Sequence, residues 1–375
     1  MSTPASVMDR FPKLDPDFVR ARLGRPETNP RVIIDTDAAN EIDDQFAIAW
    51  SLLSDGRMGL EGVTAEPFSF AHHRDGLIRS VRILQRGGPA NAEEERFMGG
   101  LGGWAARLVK RGIPAEDIDF VGTGEGERLS YEEILRVFDR CGVDPSGRVF
   151  RGSPRYLASA DDPIDSPAAR FIVERALADD RPLYVLAMGA VTNIASALLI
   201  EPKIIERVVV VWTSAFPSYS PFCNRPSLNL VQDPPASRLL FDSGVPLVYL
   251  PGYHVGAQLK ISLPEMERFV RGRGDIGDYL HHLYTNNPLH GMFAITETET
   301  KTWVIWDIIT VAWLLDAGYV STFLTTSPVL DDSLHWRHPS GRHPILEAFD
   351  LDRDAIFEDF YRTLGRAPRD PRGHS

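Results

Sequence analysis

The sequence predicts an α/β fold: a single doubly wound, mostly parallel sheet with helices on both faces and a helical insertion. Three observations carry that expectation. Short β-branched runs recur along the chain, each is followed by polar loop residues and then a helical pattern, and the runs are apolar throughout instead of alternating. Strands covered on both faces have that continuous apolar character, and helices are the usual connections between parallel strands. At 375 residues the chain has room for one large domain or two small ones of roughly 150 residues each.

Taken in order, residues 1–30 are an N-terminal extension without the basic segment and apolar run of a signal peptide. The domain runs from 31 to 365. Its first strand, Arg31-Val32-Ile33-Ile34, leads into Asp35, and a helix opens at Asp43 with apolar residues from Phe46. LEGVTA (60–65), RVFR (148–151), LYVLAM (183–188), VVVVW (208–212) and PLVYL (246–250) supply five further strands. Ligands of such sheets bind beyond the C-terminal ends of the strands, where strand order reverses. More than 80 residues separate LEGVTA from RVFR, so residues 71–129 are expected to form an insertion, helical in part and hinged by glycines. It would be a lid or a surface elaboration. GTGEGE at 122–127 lacks the spacing of a dinucleotide fingerprint and the lysine of a P-loop, and is expected to be a flexible hinge. Trp303 to Leu315, WVIWDIITVAWLL, has the length and apolarity of a buried core helix, and residues 366–375 close the chain as a flexible tail.

Charge narrows the partners. Lys and Arg number 40 against 52 Asp and Glu, a net charge of −12, which argues against nucleic acid and anionic membrane. No apolar run reaches the roughly 18 residues of a membrane helix. Cys141 and Cys223 are too few for a disulfide framework and suit a reducing cytoplasm.

The acids are unevenly placed. In VIIDTDAANEIDDQF, Asp35 and Asp37 close a strand, Glu41 follows in the loop, and Asp43 and Asp44 open a helix. A single acid there reads as a helix cap. Five acids without a base within ten residues raise one another's pKa unless a cation sits between them, and oxygen-only ligands suit Ca²⁺ or Mg²⁺. Asp307, the one charge in the apolar 303–315 stretch, also needs a cation, a salt bridge, a set of hydrogen bonds or a pKa shift. A metal shared with Asp37 and Asp44 accounts for both anomalies.

These residues resemble the calcium-dependent nucleoside hydrolases, the inosine-uridine-preferring nucleoside N-ribohydrolases. Asp35-Thr36-Asp37 through Asp43-Asp44 is similar to that family's D-x-D-P-G-x-D-D, with two extra loop residues. Leu186 to Ala195 (LAMGAVTNIA) resembles the family's strand and T/G-G-x-x-T-N-I-A turn. Ser227 to Ala236 (SLNLVQDPPA) is similar to E-x-N-x-x-x-D-P-x-A-A, and Trp306-Asp307 matches the His-Asp or Trp-Asp helix. The resemblance extends over residues 31–365 apart from the insertion.

The resemblance implies hydrolysis of the N-glycosidic bond of a nucleoside to free base and ribose. It implies Ca²⁺ on Asp37, Asp44, Asp307 and the Met188 backbone carbonyl, with Asp37 also the catalytic base. Asp43 and Asn229 would bind ribose hydroxyls, with Asn40 adding a contact. Trp306, standing where many members have His, would stack on a purine base. A homo-oligomer, dimer or tetramer, is implied as well. Three departures bear on the sugar site: the longer first loop, Ser227 in place of Glu, and Thr213-Ser214 in place of Gly-Gly. Asn224 is expected to replace a lost contact or to face solvent. His72, His73 and His290 are candidates for the missing acid toward the base. The rival readings are hydrolysis of another small riboside or glycoside, and a non-catalytic, metal-dependent nucleoside- or sugar-binding module. The D-T-D triplet also resembles aspartate-nucleophile phosphatases, against which Ala39 counts.

Overall fold

The computed structural model describes residues 7–296 and 301–368. Eight strands form the central sheet: β1 (Arg31–Thr36), β2 (Gly59–Ala65), β3 (Val149–Phe150), β4 (Leu183–Ala187), β5 (Val208–Ser214), β6 (Leu247–Pro251), β7 (Val320–Thr326) and β8 (Pro344–Leu351). Their order is β3-β2-β1-β4-β5-β6-β8-β7, parallel except for the final β8–β7 pair. The chain winds outward from β1 in one direction and from β4 in the other. The crevice between β1 and β4 is therefore the switch point of the sheet.

The apolar character of the strands follows from burial on both faces. Val32, Ile34, Val209 and Val211 pack on one side with Phe46, Trp50, Ile309 and Phe360 from the helices Asp43–Leu52, Ile308–Leu315 and Arg353–Leu364. Ile33, Val185, Val210 and Tyr249 pack on the other with Ile172, Ile194 and Leu240 from the helices Pro167–Leu177, Thr192–Ile200 and Pro234–Asp242. The N-terminal segment joins the first core: in the helix Pro16–Arg22, capped by Asp15, Val19 is buried, and Leu23 follows it inward.

The 71–129 stretch is mostly helical. Arg74–Gln85 and Ala92–Lys110 pack on each other around Leu77, Val81, Trp104 and Leu108, with Met292 and Phe293 from a distant segment. Two expectations need correction. GTGEGE is not a hinge: it begins the helix Thr123–Arg140, which covers β2 and the helix Asp43–Leu52 and runs through the expected boundary at 129. Gly126 serves close packing there, since a Cβ would lie 2.1 Å from the Phe68 carbonyl oxygen. Residues 303–315 are not one helix either. Trp303–Val304 pairs antiparallel with Lys260–Ile261, and the helix begins only at Ile308. The aromatic and β-branched residues at 303–305 favour the extended form. Of the tail, residues 369–375 lie outside the described residues.

Candidate active site

At the ends of β1, β4, β5 and β6 lies a cleft of about 580 Å³, lined by Asp37, Asn40, Glu41, Asp43, Asp44, Met188, Asn229, Trp306 and Asp307 among others. Each arrives by a different local device. Asp37 is the residue after β1, where the Asn40 amide N–H donates to the Asp37 carbonyl at 2.8 Å and closes a turn. The Asn40 side chain then donates to Asp37 Oδ2 at 3.2 Å, and Gln232 Nε2 approaches the same oxygen at 3.5 Å. Asp43 and Asp44 open the helix Asp43–Leu52, where the helix dipole favours negative charge. The Thr36 hydroxyl donates to Asp44 Oδ1. Asp307 stands just before the helix Ile308–Leu315, and its carboxylate makes no capping bond to that helix.

Asp43, Asp44 and Asp307 present oxygens that all lie within 4.8 Å of one another. All three are at most 3 % exposed, and Asp37 is 2 % exposed. Burial pushes the Asp37, Asp43, Asp44 and Asp307 carboxyls well above the ordinary range, and their mutual repulsion adds to it. Glu41 is pushed to about 8, by burial first and then by Asp44 and Asp37. Among the described residues none of these five acids has a basic partner. The salt bridge that would have been the ordinary explanation of Asp307 is absent among those residues.

Met188 contributes only its backbone. Its carbonyl, at the end of β4, accepts the Asn229 side-chain amide at 2.8 Å, and the same amide donates to the Thr213 carbonyl at 3.1 Å. Both donors of Asn229 are thus spent on the protein, and its Oδ1 is left for the cleft. Asn40 Oδ1 is buried without a partner. Trp306 is half-buried and meets Tyr253 edge-on at 5.7 Å, while Tyr253 stacks on Phe216 at 4.4 Å.

Several expected members fall elsewhere. Asn224 does not line the cleft: its Oδ1 accepts from Phe216 N at 2.9 Å and its Nδ2 donates to Leu334 O at 3.1 Å, so it is a loop brace. Asp35 turns away from the other acids, accepting from Thr64 Oγ1 at 2.5 Å and Asn193 Nδ2 at 3.0 Å. His72 and His73 belong to the helical insertion, with His73 against Trp104, and His290 packs on Trp303; none lines the cleft. Ser227, in place of the expected Glu, accepts from Ala215 N at 2.8 Å and pairs with Ser214 at 3.0 Å. Sequence reasoning named Glu41 without assigning it to the site, and missed Tyr253. Tyr253 lies two residues beyond β6, within the zone that the strand-end rule marks.

Fold and site together define a class: a doubly wound α/β protein with a cluster of buried carboxylates at its switch point. The chain belongs to the inosine-uridine preferring nucleoside hydrolase family, whose model matches residues 32–338. It is 28% identical over 144 residues to a putative pyrimidine-specific ribonucleoside hydrolase RihB of Shigella boydii, covering 38% of this chain and 55% of that protein. The corresponding Escherichia coli K12 protein is 28% identical over 159 residues, 41% of this chain and 48% of its own. The chain thus spans about half the length of the curated relatives it matches. The purine-preferring ribonucleoside hydrolase of Gardnerella vaginalis shares the fold at TM-score 0.56 and 17% identity, covering 89% of this chain and 98% of that one. An inosine-uridine preferring nucleoside hydrolase of Bacillus anthracis does so at 0.55 and 16%, covering 90% and 99%.

Proposed function

We propose that this chain hydrolyses the N-glycosidic bond of a ribonucleoside, purine nucleosides foremost, with Ca²⁺ held by Asp37, Asp44, Asp307 and the Met188 carbonyl. One observation carries the reading: Asp43, Asp44 and Asp307 bring buried carboxylate oxygens within 4.8 Å of one another at the switch point, Asp37 lines the same cleft, and among the described residues no basic side chain lines it. A hard cation fits that donor set, because only oxygens are offered and burying the acids uncompensated is costly. When bound, such an ion would supply Lewis acidity that lowers the pKa of a water toward neutrality.

The chain's own residues supply the rest. Asp37 takes the proton of the attacking water, and with Oδ2 engaged by Asn40 its Oδ1 is the oxygen free to do so. Asp43, Asn40 Oδ1 and Asn229 Oδ1 accept hydrogen bonds from ribose hydroxyls and fix the anomeric carbon in line with the water. The carboxylates around the ring stabilise the positive charge that builds on the sugar as the bond to the base lengthens. Water attacking the face opposite the base inverts the anomeric carbon. Trp306 and Tyr253 form the wall against which the base lies. Nucleotides are excluded by repulsion of their phosphate.

The curated relatives are named for pyrimidine specificity, over less than half of this chain. The purine preference rests instead on the broad indole of Trp306 in the cleft. Two free cysteines suit the cytoplasm, and a dimer or tetramer is the assembly we expect. No helix among the described residues is long and apolar enough to cross a membrane. The test is base release from a panel of purine and pyrimidine nucleosides with Ca²⁺ and with chelator. Calcium-dependent release, fastest with purines, is expected; no turnover of any N-riboside by the loaded protein would overturn the proposal. A second reading, a nucleoside-binding module without turnover, is favoured by the lack of a cleft-lining histidine among the described residues. Calorimetric binding without product after prolonged incubation would establish it.

A further inference from the structure

A neutral base leaves C1′ as an anion unless some group protonates it. Among the described residues no His, Lys or Arg side chain lines the cleft. His254 follows Tyr253 with a left-handed backbone, φ +73°, but its exposed ring stands edge-on to Phe216 and Phe222 at 5.4 and 5.9 Å, outside the lining. Tyr253 spends its hydroxyl proton on the Pro226 carbonyl at 2.9 Å. The cleft offers the opposite of a donor set: Glu41 and four aspartates, the unpartnered and buried Asn40 Oδ1, and the aromatic faces of Trp306 and Tyr253. A divalent cation would balance two of those five acids. Glu41 lines the same cleft as Tyr253 and Trp306. It belongs to the loop that is two residues longer than the D-x-D-P-G-x-D-D pattern. Acceptors and aromatic faces both attract cations and repel a developing anion.

We infer that the cleft favours ribosides whose leaving base carries a fixed positive charge, an N7-alkylated purine or an N-linked pyridinium, with Glu41 as the specificity-determining residue beside that base. The inference rests on the hydrolase reading and names its substrate class. The step balances without an acid. The C1′–N bond breaks and its electron pair neutralises the cationic ring. The water oxygen bonds to C1′, and the water proton passes to Asp37 and then to solvent. The products are the neutral base, free ribose and one proton.

Matched pairs test this: 7-methylguanosine against guanosine, and nicotinamide riboside against uridine, with the Ca²⁺-loaded wild type and Glu41→Gln. Binding of 1-methylnicotinamide against nicotinamide is followed in parallel by tryptophan quenching, with and without metal. In at least one pair the charged member should be preferred by about 100-fold in kcat/KM, the scale of a general acid made unnecessary. The methylated probe should bind about 10-fold tighter than the neutral one, and Glu41→Gln should remove most of that margin. Preference within the first pair alone identifies a purine source, and within the second alone a pyridinium source. Equal turnover within both pairs, or equal binding of the two probes, would overturn the inference and leave the hydrolase reading intact. A fall in guanosine turnover but not 7-methylguanosine turnover in His254→Gln would also overturn it, by assigning the proton to His254. Selective, Glu41-dependent binding with no riboside cleaved would instead remove the hydrolase reading and leave the cation preference standing.

Discussion

The side-chain amide of Asn229 donates to the backbone carbonyl of Met188 at 2.8 Å, tying the short helix Leu228–Val231 to the end of the central strand β4. A carbonyl held this way has one lone pair spent and the other aimed. Its direction is set by a residue that sequence analysis assigns to the sugar.

Replacing Asn229 by Ala is expected to loosen that carbonyl and the Thr213 carbonyl with it. Removing an outer partner of a metal ligand typically costs 10–100-fold in affinity, so Ca²⁺ binding by calorimetry should weaken by roughly that factor. Unchanged Ca²⁺ affinity in Asn229→Ala would mean that the Met188 carbonyl is not a ligand.

The stability of the metal-free protein should depend on pH with an unusual sign. Asp37, Asp43, Asp44, Asp307 and Glu41 all have folded-state pKa values raised above the unfolded ones, Glu41 to about 8. Groups shifted this way stabilise the fold while protonated in both states, and that stability is lost as pH climbs through the raised values. In chelator, Tm should therefore fall from about pH 5 to pH 8, because unfolded carboxyls titrate near pH 4. Ca²⁺ should cancel the slope, so the Tm gain on its addition is larger at pH 8 than at pH 6. A gain that shrinks with rising pH would contradict the shared site.

Much of this was open to inspection in the chain itself. Val32 to Ile34 and Val208 to Trp212 are apolar at every position because both faces are covered, so strand and layer were legible together. Asp37 and Asp44 stood out as charges at a strand end and a helix start. Asp307 was conspicuous as a lone charge, but its place before the helix depends on pairing of Trp303–Val304 with Lys260–Ile261, some forty residues earlier. Asn224 was misplaced for the same reason: its amide is claimed by Leu334, far along the chain. Gly126 looked like a hinge because its conformational freedom is visible locally, whereas the Phe68 backbone that requires its lack of a Cβ is not.

Trp306 offers a test of base recognition. It is half-buried and faces two residues without side chains, Gly252 and Gly256, on which an added Cβ would lie 3.8 and 3.6 Å from its ring, and so it adds little to the core. Trp306→Ala should leave Tm nearly unchanged and raise KM for purine nucleosides by about 10-fold, the scale of one base–aromatic stack. A large Tm loss with unaltered KM would make Trp306 a packing residue.

Gly189 probes the placement of Asp37 without removing a polar group. It follows Met188 at the end of β4, and a Cβ built there lies 2.8 Å from Asp37 Cγ and 3.0 Å from Oδ1. Contacts that short do not persist, so one of the two must move. Gly189 is pinned through its carbonyl, which accepts the Trp212 indole N–H at 3.0 Å, and by the strand that precedes it. Asp37 is held by long hydrogen bonds of 3.2 and 3.5 Å to side-chain amides and is the part that gives way. Gly189→Ala is therefore expected to displace the carboxylate by a few tenths of an ångström or more. Misplacement on the ångström scale costs about 100-fold in rate, so kcat should fall by 10–100-fold. The fold should survive, because the added methyl enters the cleft wall and not the packed sheet. Wild-type kcat in a variant that folds normally would show that the position of Asp37 does not govern the reaction.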